Sequence, residues 1–304
     1  MKPKLLIIGS SLIVNEHIKC AIAAGFKLYS LNSTNPNSKN EKKFYKNYNF
    51  FKKFKNWKEA LKSAQTNKNV AILLAPRIKD NFKILKYTLA GKNFIFTEKP
   101  ISYNSNDLKK LLPFNKRIFI GYNRIHYKGI KYLKKKLQNP SSVVVKFTES
   151  KFKNIFNNSI HVISVISYLF GSMKFVNIIK KKNSINLLVK NKRGTPINFI
   201  FSEKSPETFS IDILDNNKRY LLKPLEHLSI YEKLDFKYIG GNKKMLTPIE
   251  NPKKVIDEYS DKKFKPGFLE QMKSFKKFLI NKNKINNDLS FGLNLIKFCN
   301  NFFK

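Results

Sequence analysis

Apolar residues are patterned differently in the two halves of the chain. Near the amino end, Lys4–Ile8, Phe26–Leu31, Val70–Ala75, Phe94–Thr97 and Ile118–Gly121 are short runs with few polar interruptions, as expected of strands buried on both faces of a parallel sheet. Helical stretches fall between them. Asn15–Ala24 is closed by Gly25, a basic region from Asn40 to Lys55 precedes a Trp57 segment, and Asn81–Ala90 repeats Phe82, Leu85 and Leu89 at helical spacing before Gly91. Strands alternating with helices predict a right-handed, doubly wound parallel sheet of the Rossmann type over residues 1–122.

Beyond residue 122 the pattern changes. A helix from Tyr127 to Leu137 leads into Ser142–Thr148. After a helix around His161 come closely spaced β-rich runs at 175–180, 184–189, 197–201, 209–214 and 219–222, separated by Asn-Ser, Lys-Arg-Gly and Asp-Asn-Asn turns. This spacing predicts a mainly antiparallel sheet in an α+β domain over residues 123–304. A helix at Gly267–Leu279 carries Phe268, Met272, Phe275 and Phe278 on one face, and Leu289–Phe302 closes the chain. The fold class is therefore α/β, with a second α+β domain.

Composition changes this picture little. The 304 residues, 42% of them hydrophobic, suffice for two cores. Sixty Lys and Arg against 20 Asp and Glu give a net charge of +40, which raises a nucleic-acid reading. The cations are almost all lysines spread through every segment, so a solvated lysine coat is preferred, its field attracting small anions. Cys20 and Cys299 stand in apolar helical contexts without metal-ligand spacing and are expected as buried reduced thiols. No apolar stretch approaches the length of a membrane span, so a cytoplasmic protein with no metal is expected.

The chemistry gathers at the ends of the predicted strands. Phe94–Thr97 runs straight into Glu98-Lys99-Pro100, delivering an acid and a base where open α/β sheets bind ligands. The first strand ends at Gly9, followed by Ser11 and Val14 at the two later positions where a dinucleotide turn has glycine. At the end of the second strand Ser33 and Thr34 replace the acid that would bond an adenosine ribose, with Lys39 nearby and no acid until Glu41. These residues lean toward NADP over NAD, or form a polar loop facing solvent.

Four segments carry a resemblance. "AGKNFIFTEKPIS" (90–102), "IIGSSLIVNEH" (7–17), "GYNRIH" (121–126) and "NNSIHVISVISYLFG" (157–171) occur in the order of the motifs of the glucose-fructose oxidoreductase, inositol dehydrogenase and rhizopine-catabolism family (Gfo/Idh/MocA). "KPGFLEQMKSFKKF" (265–278) resembles a closing helix of that family. The resemblance implies an NAD(P)-dependent oxidoreductase acting on a sugar or nucleotide sugar in surface polysaccharide biosynthesis, working as a homo-oligomer, dimer or tetramer. It implies cofactor contacts at Gly9, Ser10, Ser11, Leu12, Ser33, Thr34, Ala75, Pro76, Asp80, Glu98 and Asn123. Substrate contacts are implied at Lys99, Tyr122, Arg124, Asn157 and His161.

Lys99, His161 and Asn157 are the implied catalytic group. A histidine titrates near neutrality and suits proton exchange with a hydroxyl, while a lysine holds a developing alkoxide. His161 on an apolar helix also fits a satisfied core histidine, and Arg124 a salt-bridged structural residue. The chain departs from the family in one consequential place. Asn157, Ser159 and Ser164 stand where the motif has Asp, Gly and Asp, so both carboxylates around His161 are missing. Changed chemistry, or a sugar-nucleotide-binding protein without turnover, are the alternatives this opens.

Overall fold

A computed structural model gives the structure and describes residues 2–239, 245–260, 262–281 and 285–303. Strand β1 (Lys4–Ile8) leads into α1 (Leu12–Ala23) and β2 (Lys27–Asn32). Then come α2 (Lys39–Asn47), α3 (Trp57–Gln65), β3 (Val70–Leu74), α4 (Ile78–Thr88), β4 (Ile95–Thr97), α5 (Ser105–Leu111) and β5 (Ile118–Ile120). The five strands form one parallel sheet in the order β2-β1-β3-β4-β5. Leu5–Ile8 and Ile72–Leu74 are wholly inaccessible to solvent, which is why these runs read as continuous apolar blocks.

The chain then builds a second unit. It contains α6 (Lys128–Lys136), β6 (Pro140–Glu149), α7 (Ile160–Phe170), β7 (Met173–Lys181), β8 (Ser184–Asn191), β9 (Pro196–Glu203), β10 (Ser210–Asp215), β11 (Lys218–Leu222) and β12 (His227–Tyr231). The hairpin β13 (Asp235–Ile239) and β14 (Met245–Ile249) precedes β15 (Lys254–Asp257). Eight strands form one sheet in the order β15-β12-β11-β10-β6-β9-β8-β7. Pairing is antiparallel throughout, as expected, except that β6 and β9 run parallel. Alternate residues such as Val143, Val145 and Phe147 are buried, the half-exposed pattern of a sheet with one core face. Strands β12 to β15, each only four or five residues long, were not anticipated.

Two last helices, α8 (Phe268–Asn281) and α9 (Leu289–Phe302), end the chain. They correct the expected domain division. The compact units are residues 1–126 with 262–304, and residues 127–261. The reason is the apolar face of α8. Phe268, Met272, Phe275 and Phe278 join the cluster of Leu5, Ile7, Val14, Ile18, Phe96 and Phe119. Phe275 meets Phe96 and Phe119 at ring separations of 5.5 Å each, and each such buried ring contributes about 1.5–3 kcal/mol of transfer free energy. Helix α9 packs on α5 and β5. Ahead of it, Asn287 bonds both the N–H and the carbonyl of Ile120, closing the open edge of β5.

Both cysteines are buried and outside any disulfide, as expected. Among the described residues no helix is long and apolar enough to cross a membrane.

Candidate functional site

The carboxyl ends of β1, β2 and β3 enclose a cavity of about 390 Å³ in the first unit. Its floor is the turn after β1. Gly9 has φ +127°, and a Cβ there would lie 2.2 Å from the Ala75 carbonyl oxygen. Only glycine fits, because the β1 and β3 ends approach each other so closely. Ser11 is the N-cap of α1, but its side chain makes no capping bond, and the first turn of α1 holds no acid. The Val14 N–H of that turn donates to the Ser11 carbonyl at 3.0 Å, and the amino end of the helix beside Ser11 carries a positive partial charge.

A chain of hydroxyls forms the wall. Ser10 Oγ lies 2.8 Å from both Ser33 Oγ and Ser38 Oγ, while Asn40 donates to the Ser10 carbonyl at 2.9 Å. Ser38 also caps α2 by accepting from the Glu41 N–H. Glu41 turns its carboxylate behind this wall, accepting from the Ser33 N–H at 2.7 Å. Burial raises the Glu41 carboxyl above its ordinary value, against the pull of the Ser33 N–H and Lys53. Lys39 and Arg77 bring positive charge to the lining, and among the described residues no carboxylate lines the cavity.

One strand farther along, the end of β4 is pinned from two sides. The Asn81 amide donates to the Glu98 carbonyl at 3.1 Å and accepts from the Thr97 hydroxyl at 3.1 Å. His17 Nε2 lies 2.6 Å from Glu98 Oε1. The imidazole is itself held between Phe96 and Phe268, with centroids at 5.3 and 5.1 Å. Glu98 and the carbonyl that follows it are thus fixed immediately before Lys99, which is half-buried.

No protein-family model and no curated protein sequence matches the chain. Solved structures do match over nearly its whole length. A dehydrogenase (MviM) from Clostridium difficile superposes with a TM-score of 0.76 at 16% identity, covering 99% of this chain and 98% of that one. UDP-N-acetylglucosamine 3-dehydrogenase from Acidithiobacillus ferrooxidans gives 0.75 at 12% identity, covering 100% and 97%. Myo-inositol dehydrogenase from Lactobacillus casei, in complex with NAD(H) and myo-inositol, gives 0.71 at 15%, covering 97% and 92%. The chain has the fold of these dehydrogenases.

Within this fold, the structure brings only part of the expected cofactor set together. Gly9, Ser10, Ser11, Ser33, Thr34, Ala75 and Pro76 line the cavity. Leu12, Asp80, Glu98 and Asn123 do not. Leu12 is 81% exposed on the first turn of α1, Asp80 sits in the first turn of α4, Glu98 faces His17, and the Asn123 amide donates to the Pro266 carbonyl. The lining residues that the sequence reading missed are Asn35, Asn37, Ser38, Asn40 and Arg77. The Ser-x-x-Glu pair at Ser38 and Glu41, a capping-box signal, is what marks the start of α2 beside the cavity.

Tyr122 departs from its expected substrate role. Its side chain is buried at 1% exposure, edge-on to Phe291 at 5.5 Å with its hydroxyl near Gly292. Burial pushes its phenol pKa up, so it is a core residue under α9. Arg124 is half-buried in the same unit. Asn157 and His161 belong to the second unit, Asn157 exposed and His161 half-buried at the first turn of α7. Ser164, at the second lost carboxylate, donates to the His161 carbonyl at 2.7 Å. The first position of the turn is therefore filled as the motif predicts, while Val14, at the third, is wholly buried in the core.

Proposed function

We propose that the protein is a nicotinamide-dependent oxidoreductase that moves a hydride from a hydroxyl-bearing carbon, or to the corresponding keto carbon, of a sugar, a nucleotide-linked one, in surface polysaccharide biosynthesis. The observation that carries this reading is the cavity beside Gly9, with its uncapped helix turn, its hydroxyl wall and its Lys39 and Arg77 lining. These are the groups a pyrophosphate requires. A bound nicotinamide would supply or accept the hydride. Lys99 serves as the fixed charge that holds the reacting oxygen, and His161 exchanges its proton. Arg124 and Asn157 contact sugar hydroxyls. Ser33 and Thr34, without a lining acid, suit NADP(H) at least as well as NAD(H), and the active form is a homo-oligomer. The NAD(H)-bound inositol dehydrogenase and the UDP-sugar dehydrogenase support the reading, since their folds match over the whole chain.

A second reading is favoured by the two lost carboxylates around His161 and by the branched side chain of Val14 in the turn. Under it the chain binds nucleotide sugars without turnover. The deciding experiment is a thermal-shift and turnover screen with NAD(H), NADP(H) and UDP-sugars. Under the first reading a dinucleotide raises the melting temperature, and Lys99→Met and His161→Gln each lower turnover by roughly 10²-fold. Stabilisation by a nucleotide sugar alone, with no hydride transfer, selects the second.

A further inference from the structure

A large charged concavity of the first unit lies at the opposite end of the parallel sheet from Gly9 and Glu98. Residues before β1, before β3 and before β4 converge there with the last turns of α8 around a cavity of about 810 Å³. Lys2, Lys68, Lys92 and Lys276 line it, and among the described residues no carboxylate does. Lys276 is fixed in place, since its Nζ donates to the Ala24 carbonyl at 2.8 Å. The other three are exposed.

The floor is of the opposite character. Val70 and Ala71 are buried there, and Phe94 and Leu279 are half-buried. Phe94 is held edge-on to Phe278 at 5.1 Å. Ile280 stands on the rim with 67% of its surface exposed. Asn69 adds an amide. The exposed like charges of Lys2, Lys68 and Lys92 around one concavity repel one another, and a multiply charged anion relieves that repulsion. An apolar floor under them admits a flat or apolar group attached to that anion.

We propose that this end of the sheet is a second small-molecule site, independent of the dinucleotide cavity, that takes a nucleoside polyphosphate. The lysines hold the phosphates, and the base lies over Phe94 and Ile280 with Asn69 at its edge. The cavity is of a size that encloses a nucleotide-sized ligand, which typically needs about 300–1,000 Å³. Nothing in this assignment depends on the oxidoreductase reading.

The test is calorimetric titration of the full chain with ATP and, separately, with inorganic pyrophosphate, at physiological ionic strength. Lys68→Gln combined with Lys92→Gln is expected to weaken ATP binding by about tenfold or more. Ile280→Ser is expected to weaken ATP and leave pyrophosphate unchanged. All three are exposed positions, and unchanged melting temperatures would verify that the variants fold. The proposal is overturned if ATP gives no binding heat at millimolar concentration, or if the double lysine variant binds ATP as the wild type does. Displacement of ATP by NADPH would place the nucleotide in the other cavity and overturn it as well. Pyrophosphate binding as tightly as ATP would show that the apolar floor contributes nothing, and the nucleoside assignment would fall.

Discussion

His17 Nε2 and Glu98 Oε1 lie 2.6 Å apart, joining the first helix of the chain to the end of its fourth strand. An ionised carboxylate only accepts, which places a proton on Nε2. His17 is 1% exposed, so the bond satisfies a polar group that has no access to water. His17→Leu is expected to cost about 1–3 kcal/mol in urea unfolding by leaving its partner half-buried and unpaired. Glu98→Gln should cost less, because an amide oxygen still accepts from Nε2. In a double-mutant cycle His17→Leu and Glu98→Leu should be less than additive; strict additivity would mean that the contact carries no coupling.

Gly9→Ala is expected to be the most damaging single change at the cavity. The new methyl group would meet the Ala75 carbonyl at 2.2 Å, and φ +127° is strained for any L side chain. The strain alone is worth about 1–3 kcal/mol. A fall in melting temperature with loss of dinucleotide stabilisation is the expected result, and an unshifted melting curve would contradict the geometry.

Val14→Gly tests whether the missing third glycine limits binding. Val14 is wholly buried among Ile18, Leu73 and Phe96 in the core cluster. Removing its side chain opens a cavity and adds the helix penalty of glycine, together about 2–4 kcal/mol. Unfolding by guanidinium should reveal this loss, and calorimetry should show no gain in dinucleotide affinity.

Glu41 gives the molecule a pH dependence with a definite sign. Because burial raises its carboxyl above the ordinary 4.5, the folded chain holds that proton more tightly than the unfolded chain does. This contribution is fully present below 4.5 and is lost as pH rises through the raised folded value. Glu41→Gln keeps an acceptor for the Ser33 N–H but does not titrate. Melting temperatures measured between about pH 4 and pH 8 should therefore show the wild type losing stability relative to the variant as pH rises. Parallel curves would exclude the effect.

Much of the fold was legible because its signals are local. The apolar blocks of β1, β3 and β4 mark buried strands wherever they pair, and α9 was bounded at Leu289 and Phe302 by its own periodicity. The face of α8 was equally plain. What that face meets was not, because periodicity says that a stripe is apolar and says nothing of the surface it covers. Phe268 and Phe275 read identically whether they pack on a neighbouring strand or on one more than 150 residues earlier. The candidate site divided in the same way. Gly9 and Ser33 follow strand ends and could be found from sequence, whereas Arg77 and Asn37 reach the cavity only through the turns that the folded chain imposes. Tyr122 stood in a recognisable motif, yet motif position does not tell which way a ring turns.

The discontinuity of the first unit has a consequence for synthesis. When the ribosome has delivered residues 1–126, the rings of Phe96, Phe119 and His17 still lack the helix that seals them. That helix, Phe268–Asn281, emerges only after the entire second unit has been translated. The amino-terminal sheet must therefore wait, with an open apolar seam, while a complete β-rich unit folds beyond it. In a nascent chain this seam is the surface that a holding chaperone would meet, and it closes only once Phe268–Asn281 has been translated.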